Sequence, residues 1–315
     1  MYFPILRGRQ FELLALRECI SNNVLSNRII PIIEPVKVSS TYTKTIDAFI
    51  AAKHPIAIIR NPLVGSWLKD LRKESNSSIR TRASEQLKDE NVISSLYVTP
   101  NLEVQVDYIT ANDYALEQMM LVCNNAEYVD YYERVIGDKK PKYNVIPDKG
   151  DFRRRIRPNR VMCEDHFPKQ NRNIDYCDID TELFSKDHLY YAEDGFKGFS
   201  DYSIVGAEFS ETGFAPYAVA IHIVYFDENK ALRIAHFVSD SNDDISDPAR
   251  KFAEAVEKLV KWNQTMKLDT VGIRAFESAY KNQTYPGAVV VTLVPLIETI
   301  LSLFFRRSEF SDEIT

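Results

Sequence analysis

Short apolar runs, each stopped by a charged, amide or proline residue, recur along the first two thirds of this chain, and stretches with helical spacing separate them. Tyr2 to Leu6 closes on Arg7-Gly8-Arg9, Ile29 to Ile33 runs into Glu34-Pro35, and His54 to Ile59 ends at Arg60-Asn61-Pro62. Leu96 to Thr99 is stopped by Pro100, Met119 to Cys123 by Asn124, and Tyr143 to Ile146 by Pro147-Asp148. Arg160 to Cys163 then leads into Glu164-Asp165, and Tyr202 to Val205 lies within Phe199 to Gly206. Strands that are apolar on both faces are what a parallel sheet covered by helices requires. Between them, Phe11, Leu14, Ala15 and Leu16 mark one helical face. Helices are also predicted over 66–73, 78–90 and 112–118, and over 127–136 with Gly137 as C-cap. Eight such strands alternating mainly with helices predict an α/β fold, a (β/α)8 barrel of the TIM-barrel type.

The pattern changes in the last third. Ala218 to Tyr225 and Leu232 to Val238 are strand-like and joined by Asp227 to Lys230, which predicts an inserted antiparallel β-hairpin near the C-terminal third. Asp247-Pro248 then starts a helix that continues to Trp262. The expected organisation is a single barrel-like domain over 1–315, with a hairpin insertion at 214–240 and C-terminal helices at 247–305 packing on it. Ala288 to Phe305 is long and apolar, but Pro295 and Glu298 interrupt it, so it is read as a terminal buried segment and not a membrane span.

Composition narrows the function classes. The chain has 315 residues, 45% hydrophobic and 27% charged, ordinary for a globular protein, and its net charge of −6 argues against wholesale coating of nucleic acid while leaving room for a local basic patch. Cys19, Cys123, Cys163 and Cys177 form no CxxC pair, which points to reduced thiols and a cytoplasmic setting. The first residues do not read as a basic-then-apolar signal peptide, so a secretory leader is not expected. GxSxG, Walker A and GxGxxG motifs are absent, so serine-hydrolase, P-loop and simple dinucleotide readings lose support. The histidines form no HxH or HExxH pair, although His222 and His236 fall on neighbouring strands of the expected hairpin.

In a barrel, the loops after the strands converge on one face. Those loops carry Arg7, Arg9, Glu34, Arg60, Asn61, Asn124, Asp148, Glu164, Asp165, Asp201 and Glu208. Carboxylates serve as general acids and bases or hold Mg2+, and guanidinium forks bind phosphate. The candidate catalytic residues are Glu34, Glu164 and Asp165, the candidate Mg2+ ligands Glu34, Glu164 and Asp201, and the candidate anion clamps Arg7, Arg9, Arg60 and Arg172. The same charges serve equally well as salt bridges that tie loops together. Five arginines in Arg153 to Arg160 add Arg153 and Arg154 as phosphate or RNA contacts; the bland alternative is a solvated loop pairing with acidic neighbours. Asp240 to Asp247 lacks the glycine and terminal glutamate of an EF-hand and reads as charge at a helix start.

Phe3 to Leu16, Pro31 to Pro35, Glu164 to Phe167, Lys169 to Asn173, Gly198 to Tyr202 and Ile204 to Gly206, in that order, resemble the beta protein family, a largely uncharacterised group of bacterial and phage-borne proteins. The resemblance implies a barrel-like fold and a setting of phage–host conflict; it supplies no reaction and no catalytic residues. Two readings follow. One is a defence-associated module whose barrel mouth binds a phosphate-containing ligand, nucleotide, nucleic acid or partner protein, with oligomerisation left open. The other is a stand-alone phosphoester or nucleotide hydrolase using carboxylates with or without Mg2+.

Overall fold

The structure is a computed structural model that describes residues 1–112, 114–204, 206–209 and 217–284. In chain order its first elements are β1 (Ile5–Leu6), α1 (Gln10–Ser21), β2 (Ile32–Ile33), α2 (Ser40–Ala51), β3 (Ile56–Ile59), α3 (Trp67–Leu71) and α4 (Ser77–Gln86). Then come β4 (Val92–Tyr97), α5 (Leu102–Thr110), β5 (Met120–Val122), α6 (Val129–Ile136), β6 (Tyr143–Ile146), α7 (Gly150–Arg155) and β7 (Arg160–Cys163). The remainder is β8 (Thr181–Ser185), α8 (Asp187–Tyr190), β9 (Gly198–Ser200), β10 (Ala220–Phe226), β11 (Leu232–Val238), α9 (Pro248–Met266) and α10 (Val271–Asn282). The chain forms two compact units.

The first unit, Met1–Leu13, Asn27–Asp165 and Asp187–Tyr202, holds an eight-stranded parallel sheet in the order β1-β2-β3-β4-β5-β6-β7-β9. Every residue of β3 and β4 is buried, as a sheet covered on both faces demands. Hydrogen bonds from Phe3 N to Phe199 O (2.9 Å), Ile5 N to Asp201 O (2.9 Å) and Phe199 N to Met1 O (3.0 Å) carry the ring from β9 to β1. Gly198 permits this closure, because a Cβ there would lie 2.6 Å from both the Phe3 ring and Met1 O. The fold is the TIM-barrel-like architecture that the apolar runs predict.

Several elements differ from expectation. The eighth barrel strand is Gly198–Ser200, not 202–205; Ser203 has φ +56°, which ends extended pairing, and Val205 lies outside the described residues. The fourth strand starts earlier, at Val92. The helix expected over 112–118 reduces to a 3-10 turn at Leu116–Gln118, and α5 takes its place. Helix α2 is hidden in sequence by its threonines, which are poor helix formers. Its Ser39 cap, 3.3 Å from Tyr42 N, and its buried Tyr42, Ile46 and Phe49 hold it in place.

Among the described residues, the second unit comprises Leu14–Ser26, His166–Lys186 and those from Ser203 to Thr284. Its antiparallel sheet has the order β10-β11-β8. The hairpin pairs Ala220 with Val238 and Phe226 with Leu232; β8, which precedes the last barrel strand in sequence, adds to its edge through Thr181 opposite Ala235. Asp247 caps α9, accepting from Arg250 N at 3.1 Å. Phe252, Ala255, Val256 and Leu259 of α9 and Ile273 and Phe276 of α10 form one buried cluster with Ile221, Ile223 and Phe237 of the hairpin. The expected segments at 214–216, 285–305 and 288–305 lie outside the described residues. Among the described residues no helix is long and apolar enough to cross a membrane.

Candidate functional site

At the carboxyl ends of β1 and β2, the Arg7 guanidinium pairs through Nη1 with Glu34 Oε2. The Tyr97 hydroxyl donates to the same Glu34 oxygen at 2.9 Å, and Leu63 N donates to Oε1 at 2.8 Å. Glu34 is fully buried, so these three donors replace its hydration and keep the charge tolerable away from water. Arg7 also lies over the Tyr202 ring, 5.3 Å from its centroid. Burial and the Glu34 charge push the Tyr97 hydroxyl well above its ordinary pKa, and burial raises Tyr202. The turn that delivers Arg7 needs Gly8, whose φ is +60° and whose Cβ would sit 3.3 Å from Glu34 O and Pro35 Cα.

The other predicted ring residues go to different places. Alternation along β4 sets Ser94 and Tyr97 on opposite faces. Arg60 sits with Ser94, 3.3 Å from its Oγ, and with Tyr108 of α5, 5.9 Å away, so it leaves the Arg7–Glu34 side. Burial lowers its pKa. Asn61 bridges strand and helix instead: its Nδ2 donates to Tyr97 O and Gln105 Oε1, both at 2.9 Å, and its Oδ1 accepts from Tyr97 N at 2.8 Å. Asp201 is buried and accepts from the Tyr2 hydroxyl at 2.8 Å. Glu164 accepts Asp148 N at 2.9 Å, Asp165 is exposed, and Asn124 is exposed. Arg9 N donates to the buried Glu12 at 2.9 Å; burial raises the Glu12 pKa. Arg172 and Glu208 belong to the second unit, where Arg172 pairs with Asp175 at 2.7 Å and Lys169 with Glu208 at 2.5 Å. Glu34, Glu164 and Asp201 therefore each have separate partners, and no group of three or more His, Cys, Asp or Glu among the described residues is placed to hold one metal ion.

A different charged region emerges on the first unit. Residues 138–160 carry nine Lys and Arg against three Asp. Part of this charge is neutralised: Arg153 pairs with Asp148 at 3.1 Å, and Arg155 with Asp130 and Glu133 of α6. Lys139, Lys140, Lys142, Arg154 and Arg157 are exposed and form no ion pair among the described residues. Their segments adjoin at the amino ends of β6 and β7. Asn159 Nδ2 donates to Pro141 O at 2.9 Å, Asn144 Nδ2 to Pro158 O at 2.7 Å, and Arg157 Nε to Arg154 O at 3.0 Å. Sequence reasoning marked Arg153 and Arg154 but passed over the three lysines; the lysine-rich Lys139-Lys140-Pro141-Lys142 was the available signal.

In the second unit, His222 and His236 face each other across the hairpin, Nδ1 to Nδ1 at 2.7 Å, and His236 Nε2 meets Glu182 Oε1 at 3.0 Å. Tyr176 stacks on His236, and Phe167 and Tyr176 set their edges against His222. Burial, then the neighbouring His236, lowers the His222 pKa to about 3. Cys19, Cys123 and Cys163 are buried and Cys177 is exposed, none of them in a disulfide; burial pushes Cys163 up to about 12. Comparison with protein families, curated proteins and solved structures finds no match to this chain.

Proposed function

We propose that this chain is a binding module that recognises the phosphate backbone of a nucleic acid, and that the strip of Lys139, Lys140, Lys142, Arg154 and Arg157 makes the contact. The observation that carries the reading is that these five exposed cations have no acidic partner among the described residues, on segments hydrogen-bonded to each other. Uncompensated cations on adjoining loops raise the local potential even on a protein of net charge −6. The hydrolase alternative has less behind it, because three of the four carboxylates it would use are already engaged: Glu34 by three donors, Asp201 by Tyr2, Glu164 by the Asp148 amide. The resemblance to the beta protein family supplies the setting of this proposal, a cytoplasmic component of phage–host conflict, with cysteines outside any disulfide in keeping with a reducing compartment.

Fluorescence anisotropy with labelled RNA and DNA oligonucleotides, titrated with salt, tests the reading. Affinity should fall steeply between about 50 and 200 mM salt, and a Lys139→Glu/Lys140→Glu/Arg157→Glu variant should lose most binding and show a shallower salt slope. Wild-type protein that binds neither nucleic acid at the low-salt end would overturn it.

A further inference from the structure

We infer that the face of α6 beside the basic strip stacks the exposed bases of a single strand, so that the nucleic acid this chain takes is single-stranded; the inference rests on the phosphate-binding reading above. Tyr128, the N-cap of α6, is followed at intervals of three by Tyr131 and Arg134 within the helix, which sets the three along one side, Tyr131 and Arg134 about 4.5 Å apart along the axis. Successive stacked nucleotides advance about 3.4 Å along a strand, so consecutive bases fall within reach of consecutive members of this ladder. The three side chains already touch as stacking groups do. The rings of Tyr128 and Tyr131 meet edge to face at 6.1 Å, and the Arg134 guanidinium lies over the Tyr131 ring at 5.0 Å.

The rest of α6 is consistent with this duty. Val129, Tyr132 and Ile136 fill the buried side of the helix, leaving Tyr128 and Tyr131 half-buried with part of each ring in solvent. The acids of the helix that would repel a polyanion, Asp130 and Glu133, are both tied to Arg155. The helix ends at Gly137, φ +56°, and the chain turns through the exposed Asp138 into Lys139 and Lys140. A π ladder thus runs into the phosphate-binding strip, the combination used to hold single strands with little sequence preference. A duplex keeps its base faces inside and would meet only the cations.

The test compares anisotropy of a labelled homopolymer of roughly 12 nucleotides with that of the matching duplex, a length within known single-strand site sizes. The expected result is tighter binding of the single strand. Tyr131→Ala should weaken it about tenfold, Tyr131→Phe should keep wild-type affinity because the π face remains, and neither should alter duplex binding by more than about twofold. Far-ultraviolet circular dichroism confirms that the variants fold. If Tyr128→Ala and Tyr131→Ala bind single strands like wild type while the charge-reversed strip still loses binding, stacking is overturned and the phosphate reading stands. Equal affinity for the duplex also overturns it. No binding of either nucleic acid removes both.

Discussion

Glu34 and Lys140 are both charged residues next to a barrel strand, yet their surroundings are opposite. Glu34 is wholly buried, with Arg7, the Tyr97 hydroxyl and the Leu63 amide around its carboxylate. Lys140 is exposed at the other end of the strands and has no acidic partner among the described residues. A buried charge survives only when its partners replace water, so the network around the Glu34 carboxylate at the carboxyl ends reads as a brace that locks β1, β2 and β4 together. Exposed cations keep their hydration, gain nothing for the fold, and are free to exchange counterions for a ligand's phosphates. The position of a charge at a strand end is thus a weaker guide to function than whether its bonds are already spoken for.

The sharpest way to break this contrast is to remove the buried acid. Glu34→Ala should cost about 3–5 kcal/mol in urea unfolding, because it leaves the Arg7 guanidinium buried beside two donors that have lost their acceptor. Replacing the pair together, Arg7→Met with Glu34→Leu, should recover much of that loss, since no uncompensated charge remains. A Glu34→Ala protein with near wild-type stability would make Glu34 a site residue after all.

The histidine pair of the second unit extends the comparison to a buried group whose charge is withheld. Unfolded, His222 takes up a proton near its ordinary value of 6.5; folded, burial among Phe167, Tyr176 and His236 delays this to about 3. The unfolded state therefore binds more protons across that window, so stability falls as pH drops through it. The lowered His236 pKa acts in the same direction, against the opposing pull of Glu182. The expected loss between pH 7 and pH 4 is about 2–3 kcal/mol, and His222→Phe should flatten that part of the profile. Parallel profiles for the two proteins would count against it.

Asn61 tests the brace at a neutral residue. Asn61→Ala removes its bonds to Tyr97 N, Tyr97 O and Gln105 and should cost about 1–3 kcal/mol by thermal unfolding. An unchanged midpoint would detach Asn61 from the barrel's rigidity.

How far the sequence announced these features follows from their physics. Runs such as Ile56–Ile59 are apolar because both faces are covered, so barrel and hairpin were legible from the pattern of apolar runs. Strand β8 was not, since Thr-Glu-Leu-Phe-Ser is half-exposed at an edge and carries no continuous apolar signal. The arginine and glutamate of the brace could be picked out, but Tyr97 could not, because its role depends on its being the last residue of β4, and the apolar run suggested a strand starting at Leu96. Arg60 was grouped with Arg7 for a similar reason: proximity to a strand end is visible in sequence, and the face to which a side chain turns requires the register.

The smallest stability effect is the one that most sharpens the contrast. Lys140→Ala and Arg154→Ala should each move the unfolding free energy by less than about 0.5 kcal/mol, since neither residue makes an ion pair among the described residues or fills a core. Each should nonetheless weaken oligonucleotide binding and lower the salt slope by about one. Burial and partnership would then have separated fold from function within one barrel: at Glu34 a large stability loss, at Lys140 a loss of binding alone. If Lys140→Ala instead destabilises the protein and leaves binding intact, the strip is part of the scaffold and the phosphate-binding surface must be sought elsewhere.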